Sequence, residues 1–279
     1  MINNWRLLTY SIHEPAANMA IDEAILDAHL EGKVPPTLRL YGWEPPAVSI
    51  GYGQKLSTQL AERIRNRGFD IVRRQTGGRA VLHANELTYS FVGSSTSADG
   101  LNSGQNIEQG VLSSSILSAY KQICQGLILS FRRLGVELEL GSSLTPYKDN
   151  HDCFLATTSA DLHFQGKKLV GSAQLRRRHA VLQHGSILLN QPQDLMRSLL
   201  TGSESSSSVD EGDDAPARHA NLFEILAEDV PISRLQDCLR CGFEEAFQTE
   251  FSLADALSPF EAALAEQYQS RYKQAVSAV

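Results

Sequence analysis

The sequence predicts an α/β (α+β) protein in which a mixed β-sheet is flanked by helices and followed by a C-terminal helical tail. Three observations predict it. Short β-branched and aromatic runs bounded by Gly or Pro recur between residues 5 and 189. Helical stretches with recognisable start and stop residues are interleaved with them. Past residue 219 the spacing becomes helical, with Phe260, Leu264, Tyr268 and Tyr272 recurring every four residues.

Trp5–Tyr10 reads as the first strand, and Ala16–Leu30 as a helix opened by Pro15 and closed near Gly32. Thr37–Tyr41 and Ala47–Gly51 are strands, Leu60–Arg67 is a helix stopped at Gly68, and Asp70–Arg74 is extended again. Gln75-Thr76-Gly77-Gly78-Arg79 forms a glycine turn, because Ala80–His83 and Leu87–Val92 resume the strand pattern. The expectation is a single sheet carrying both this turn and the later strands. Ser94–Gly110 is a polar loop, Leu112–Leu134 a long helix ended by Gly135, and Gly141–Asp152 an irregular stretch leading to Cys153. Asp161–Phe164 and Lys168–Gln174 flank Gln165-Gly166-Lys167 as a tight hairpin, and Val181–Leu189 completes the strands. Ser258-Pro259-Phe260-Glu261 is a capping box opening the tail helix. The predicted organisation is a sheet domain over 1–200, an acidic, Ser-rich mobile insertion over 201–219, and a helical extension over 220–279 packing on the first domain.

With 279 residues, 42% hydrophobic and 20% charged, the composition suits a globular protein with a sizeable core. No apolar run approaches the length of a membrane span, and Met1-Ile2-Asn3-Asn4-Trp5-Arg6 lacks the basic and apolar pattern of a secretory signal, so the expected location is cytoplasmic. A net charge of -7 argues against a nucleic-acid partner. Cys124, Cys153, Cys238 and Cys241 do not form a disulfide framework. Cys238-Leu239-Arg240-Cys241 lacks the second ligand pair of a metal site, so no metal is expected, and Cys124, Cys238 and Cys241 read as packing residues.

Chemistry concentrates in Arg73-Arg74-Gln75-Thr76-Gly77-Gly78-Arg79-Ala80-Val81-Leu82-His83. Paired glycines let a turn approach a ligand and expose backbone N–H groups, and Arg73, Arg74 and Arg79 add positive charge, which suits a phosphate or a polarised carbonyl. Downstream lie Gly166-Lys167-Lys168-Leu169-Val170-Gly171-Ser172-Ala173-Gln174 and Gln183-His184-Gly185-Ser186-Ile187-Leu188-Leu189. Lys168 opens an otherwise apolar strand, so its ammonium is expected to be partly desolvated and able to lower a neighbour's pKa. His83 and His184 are equally compatible with a pocket-lining and a backbone-holding role. Arg176-Arg177-Arg178-His179 reads either as a solvated turn or as a docking patch for acidic partners.

Together with Asn18-Met19-Ala20-Ile21-Asp22-Glu23-Ala24, Leu40-Tyr41-Gly42-Trp43 and Cys153-Phe154, these strings resemble the biotin and lipoate protein ligase catalytic-domain family. Within it the likeness is greatest to the cysteine-dependent octanoyltransferases of lipoate assembly. The resemblance spans most of the first 190 residues. It implies a thioester on Cys153, with Lys168 depressing the thiol pKa, and a substrate site built from Arg73, Arg74, Gly77, Gly78, Arg79, His83, Gly171, Ser172, Ala173, His184 and Gly185. The implied reaction is ping-pong transfer of octanoyl to a lysine without a cofactor, the donor being the phosphopantetheine thioester of acyl carrier protein. The implied acceptor is the lipoyl domain of a 2-oxoacid dehydrogenase E2 component or the glycine cleavage H protein.

An ATP-dependent lipoate ligase and an amidotransferase moving octanoyl between lipoyl proteins are the enzymatic alternatives. The ligases usually carry a third glycine where Arg79 stands and lack the cysteine before Phe154, which favours the transferase. A non-catalytic carrier-binding protein would not need Cys153 and Lys168, and no helix-turn-helix precedes Trp5 to suggest a DNA-binding regulator.

Overall fold

A computed structural model of the chain describes residues 4–96, 111–141, 161–190, 195, 199 and 219–277. In chain order the elements are β1 (Asn4–His13), α1 (Pro15–Leu30), β2 (Thr37–Trp43), β3 (Ala47–Ile50), α2 (Thr58–Asn66), β4 (Asp70–Arg73), β5 (Val81–His83), β6 (Glu86–Ser94) and α3 (Ile116–Arg132). They continue as β7 (Glu139–Leu140), β8 (Leu162–Phe164), β9 (Lys167–Arg177), β10 (Ala180–Leu188), α4 (Leu222–Leu226), α5 (Ile232–Phe247), β11 (Glu250–Ala254) and α6 (Pro259–Ser277).

The strands form two sheets rather than the single one expected. A large mixed sheet has the order β11-β1-β2-β6-β10-β9-β8-β7, and β4-β3-β5 make a small second sheet. The glycine turn joins β4 to β5 and therefore belongs to the small sheet, whereas Lys168 lies in the large one. The strand pattern specifies extended segments and leaves open which of them pair. The division between sheets is set by partners distant in sequence, such as Val48 beside both Ile71 and Leu82.

Local signals explain most boundaries. Pro15 opens α1, and the Ser57 hydroxyl caps α2 by accepting from the Leu60 N–H. Gln165 and Gly166 take positive φ in the β8–β9 hairpin, where glycine is tolerated without strain. The long helix starts at Ile116, four residues later than expected. Leu112 is held instead in strand-like pairing, its N–H donating to the Ser94 carbonyl and its carbonyl accepting from Thr96 N–H. In the tail, Ser258 and Glu261 make the reciprocal bonds of the capping box, and Glu261 also receives the Arg6 guanidinium. The tail includes a strand its helical periodicity concealed: β11 pairs in parallel with β1, which places it inside the large sheet.

One face of that sheet is covered by α3 and α5, whose Tyr120, Ile123, Leu127, Leu239 and Phe243 pack on Trp5, Leu38, Leu40 and Phe91. Each such side chain fully withdrawn from water contributes about 1.5–3 kcal/mol. The other face carries α1, with Ile21, Ile25 and Leu26 against Leu8, Val92 and Leu182. Tyr268 and Tyr272 of α6 close over α1 from outside, which explains why α1 is buried nearly all round. Among the described residues, no helix is long and apolar enough to cross a membrane. The expected insertion over 201–219 lies outside the described residues except for His219, which bridges to Lys168.

Candidate active site

A partly open cleft lies between the small sheet and strands β9 and β10. Arg74, His83, Gly171, Ser172, Ala173, His184 and Gly185, all expected at the site, line it. Met19, Tyr41, Trp43, Ser49, Val81, Thr88 and Ser186 complete the lining. Gly185 is a steric requirement: a Cβ there would stand 2.5 Å from Ser172 Oγ and 2.6 Å from the Gly171 carbonyl oxygen, so β9 and β10 could not keep this spacing with any larger residue.

The polar side chains of the lining engage one another. His184 Nδ1 lies 3.1 Å from Asp22 Oδ2 and its Nε2 2.7 Å from Thr76 Oγ1. Asp22 also accepts from Arg39 Nη1 at 2.7 Å and from the Tyr41 hydroxyl at 2.9 Å. Burial by itself would raise the Asp22 carboxyl pKa, but the His184 hydrogen bond and the Arg39 charge outweigh it and hold the group below its ordinary value. His83 Nε2 lies 2.8 Å from Ser49 Oγ, its Nδ1 3.4 Å from Glu86 Oε1, and its ring stacks on Trp43 at 4.0 Å. Burial lowers the His83 pKa and favours its neutral form, against the opposing pull of Glu86. With both nitrogens of each ring engaged, the imidazoles offer the cleft mainly carbon. The cleft is thus more apolar than its residue names suggest.

Five expected residues sit elsewhere or act differently. Arg73 points away from the cleft and donates to the carbonyls of Gly51, Tyr52 and Gln54, bracing the loop after β3. Arg74 is buried, and its guanidinium donates to Thr76 Oγ1, Ser49 O and Oγ, Gly77 O and Arg79 O, so it organises the glycine turn from inside. Arg79 is half-buried and, with the exposed Gly77 and Gly78, lies outside the cleft lining. Gly78 has φ +94°, which a side-chain-bearing residue would adopt only under strain.

Lys168 is 1% exposed, in keeping with the expected desolvation, and its Nζ lies 2.9 Å from Asp161 Oδ1. It is separated from the lining residue Gly171 by two positions on β9. Cys153 lies outside the described residues. Of the other cysteines, Cys124 is buried in the core and its thiol is pushed up to about 12 by that burial, as befits a packing residue. Cys238 packs at the edge of the same core. No group of three or more His, Cys, Asp or Glu among the described residues could hold a metal.

Of the Arg176-Arg177-Arg178-His179 run, Arg178 is exposed, and the two arginines before it are engaged by the chain itself. Arg176 donates to the carbonyls of Ser113, Ser114 and Ser115, and Arg177 pairs with Glu23 and Asp27.

Sequence reasoning assigned no role to Asp22, Arg39, Thr76 or Glu86. One signal existed: Asn18 and Asp22 are one helical turn apart in a helix of mostly small apolar residues, the spacing for a shared partner, and Arg39 bonds to both.

The chain matches the lipoyl protein ligase A/B catalytic domain family over residues 14–244. It is 36% identical over 280 residues to the octanoyltransferase LipM of Brevibacillus brevis, covering 97% of each chain. The octanoyltransferase LipM of Kyrpidia tusciae is 37% identical over 279 residues, again with 97% of each chain covered. A crystal structure of lipoate-protein ligase A bound with ATP superposes with a TM-score of 0.73 at 25% identity, covering 96% of this chain and 95% of that one. The extent of these matches and the shared mixed-sheet architecture place the chain in the lipoyl protein ligase A/B catalytic domain family.

Proposed function

We propose that the protein is an octanoyltransferase of lipoate assembly. It moves octanoyl from the phosphopantetheine thioester of acyl carrier protein, through a thioester on Cys153, to a lysine of a lipoyl domain or H protein. The observation that carries this reading is the cleft. Its histidines, arginine and hydroxyls bond to one another, so the space between the small sheet and β9–β10 suits an alkyl chain. Near-full-length likeness to octanoyltransferases supports it.

In the first half-reaction the Cys153 thiolate attacks the carrier thioester, one C–S bond forms and the other breaks, and the pantetheine thiolate leaves. In the second, a lysine amine of the acceptor attacks the Cys153 thioester, loses a proton, forms the amide and releases the thiolate. One thioester is exchanged for another, so loading needs no ATP and no cofactor. Lys168 supplies positive charge that favours the thiolate, and Asp161 stabilises that buried ammonium. The reaction is expected in the cytoplasm.

Intact-mass measurement after incubation with octanoyl-carrier protein tests the proposal. A mass gain of one octanoyl group without ATP is expected, lost in Cys153→Ser and kept in Cys124→Ser and Cys238→Ser. Octanoylation of a lipoyl domain that requires free octanoate and ATP, with no adduct on the enzyme, would point to the ligase reading. Neither an adduct nor transfer to the lipoyl domain from either donor would overturn both. Lys168→Ala is a poor probe, since it removes the ammonium from a buried carboxylate at a cost of about 3–5 kcal/mol. The paired change Asp161→Asn with Lys168→Met removes both charges, and slower alkylation of Cys153 by iodoacetamide at neutral pH is then expected, with recovery at higher pH.

A further inference from the structure

Two chains of hydrogen bonds with the same chemical order meet at one guanidinium. In the first, Asp22 accepts from His184 Nδ1, and His184 Nε2 faces the Thr76 hydroxyl, which accepts from Arg74 Nε at 3.1 Å. In the second, Glu86 lies against His83 Nδ1, and His83 Nε2 faces the Ser49 hydroxyl, which accepts from Arg74 Nη1 at 3.1 Å. The chains originate on different elements: Asp22 in α1, Glu86 in β6, His184 in β10 and His83 in β5.

The proton order is determined once the imidazoles are neutral. Ionised Asp22 can only accept, so His184 must carry its proton on Nδ1. Its Nε2 then has a lone pair and accepts a hydrogen bond from the Thr76 hydroxyl, leaving the Thr76 oxygen to accept from the Arg74 N–H. The same sequence runs from Glu86 through His83 to Ser49, where Thr88 and Ser186 also donate to the carboxylate at 2.6–3.0 Å. Each hydroxyl is oriented from one side by an imidazole and from the other by the guanidinium. The remaining Arg74 donors reach Gly77 O at 2.8 Å and Arg79 O at 2.7 Å, the two sides of the turn.

We propose that Asp22 and Glu86 are positioning residues that act through His184–Thr76 and His83–Ser49 on Arg74, and so set where the Gly77–Gly78 turn stands relative to the cleft. Neither carboxylate is assigned contact with substrate. Their effect on turnover rests on the octanoyl-transfer reading, while their effect on tautomers and on the turn does not.

Two substrate-independent measurements come first. Long-range ¹⁵N–¹H spectra, recorded at a pH high enough to neutralise both rings and assigned with His83→Gln and His184→Gln, should show the Nδ1–H tautomer at each; an Nε2–H tautomer at both would overturn the proposal. Hydrogen exchange read by mass spectrometry should then accelerate in peptides covering 74–82 in Thr76→Val and in Glu86→Gln, with α5 peptides unchanged. Thr76→Ser, which keeps the hydroxyl, should restore protection. Glu86→Gln is the decisive arm because Glu86 lies outside that peptide, and Thr76→Val serves if the glutamine variant does not fold. Exchange unchanged in both, or accelerated equally everywhere, refutes the positioning role.

The activity arm uses octanoyl-carrier protein. A displaced turn should lower kcat/KM by about 10–100-fold, chiefly in kcat, since misplacement by ~1 Å can cost ~10²-fold. Thr76→Val and Ser49→Ala should combine non-additively because they share Arg74, and simple additivity would count against convergence. A parent protein that transfers no octanoyl would sink the functional reading while leaving the exchange and tautomer results to decide this one.

Discussion

The arginines of 73–79 and those of 176–178 look alike in sequence, and Arg74 and Arg177 are each engaged by the chain itself, yet these two meet different partners. Arg74 gathers backbone carbonyls and neutral hydroxyls, and its work is to shape a turn. Arg177 reaches the carboxylates of Glu23 and Asp27, where it fastens β9 to α1. Glu23 further receives Arg271 and the Tyr272 hydroxyl of α6, and Asp27 the Tyr268 hydroxyl at 2.8 Å. A cluster of arginines in sequence therefore announces neither an exposed patch nor a ligand site. What distinguishes the two is whether the acceptors are fixed backbone dipoles or ionisable groups, and that decides how each responds to mutation and to pH.

The largest expected effect is at Arg74. Arg74→Ala removes the donor from several buried acceptors at once, each unsatisfied group costing ~1–3 kcal/mol, so a loss of about 3–5 kcal/mol in urea unfolding is expected. Arg74→Lys should recover little of it, because one ammonium cannot reproduce the spread of a guanidinium fork. Recovery by lysine would mean that charge, and not geometry, is what the site uses.

Next comes the carboxylate cluster. Glu23 is 4% exposed and joins three donors, so Glu23→Gln should lower stability by about 2–3 kcal/mol. Arg177→Ala should lower it by about 1 kcal/mol or less, since its side chain is one-third exposed at 33% and Glu23 keeps its other donors. A larger loss for Arg177→Ala than for Glu23→Gln would show that the cluster depends on the arginine instead of the carboxylate.

The same contrast explains what the sequence revealed. Pro15, Gly68, Gly135 and the Ser258–Glu261 box are local determinants, and each marks a helix boundary or turn that the structure contains. The Lys168 strand and the glycine turn were legible because their residue types are unusual for strands. The second sheet and β11 were not, because pairing depends on partners far away in the chain, and Glu250–Ala254 is short and largely exposed on the sheet edge. Asp22 and Glu86 were missed for a related reason. A carboxylate reads as surface by default, and only the fold brings His184, 162 residues from Asp22, to its side.

The smallest expected effect is a slope with pH, and it separates the two regions most sharply. His83 is held below its ordinary pKa chiefly by burial, with Arg74 and His184 adding to the shift and Glu86 opposing it. The unfolded chain titrates this group near ~6.5. As pH falls through that value the unfolded state takes up a proton that the native state refuses, so the unfolded state binds more protons and stability declines. The decline ends once pH passes the lower native pKa, where both states are protonated. Protonation of native His83 would also put an N–H at Nε2 against Ser49 Oγ, which already accepts from Arg74. The Arg177 guanidinium stays charged throughout this range, since its hydrogen bonds to Asp27 and Glu23 outweigh burial and raise its pKa. Urea midpoints measured from about pH 8 down to 5 should therefore show a shallower loss in His83→Gln than in the parent, while Arg177→Ala keeps the parental slope. His13, His29 and His163, also held low by burial, supply the slope that remains. A slope unchanged in His83→Gln would mean that the ring protonates in the native state as easily as in the unfolded chain, and the proton order proposed for the Glu86 chain would have to be abandoned.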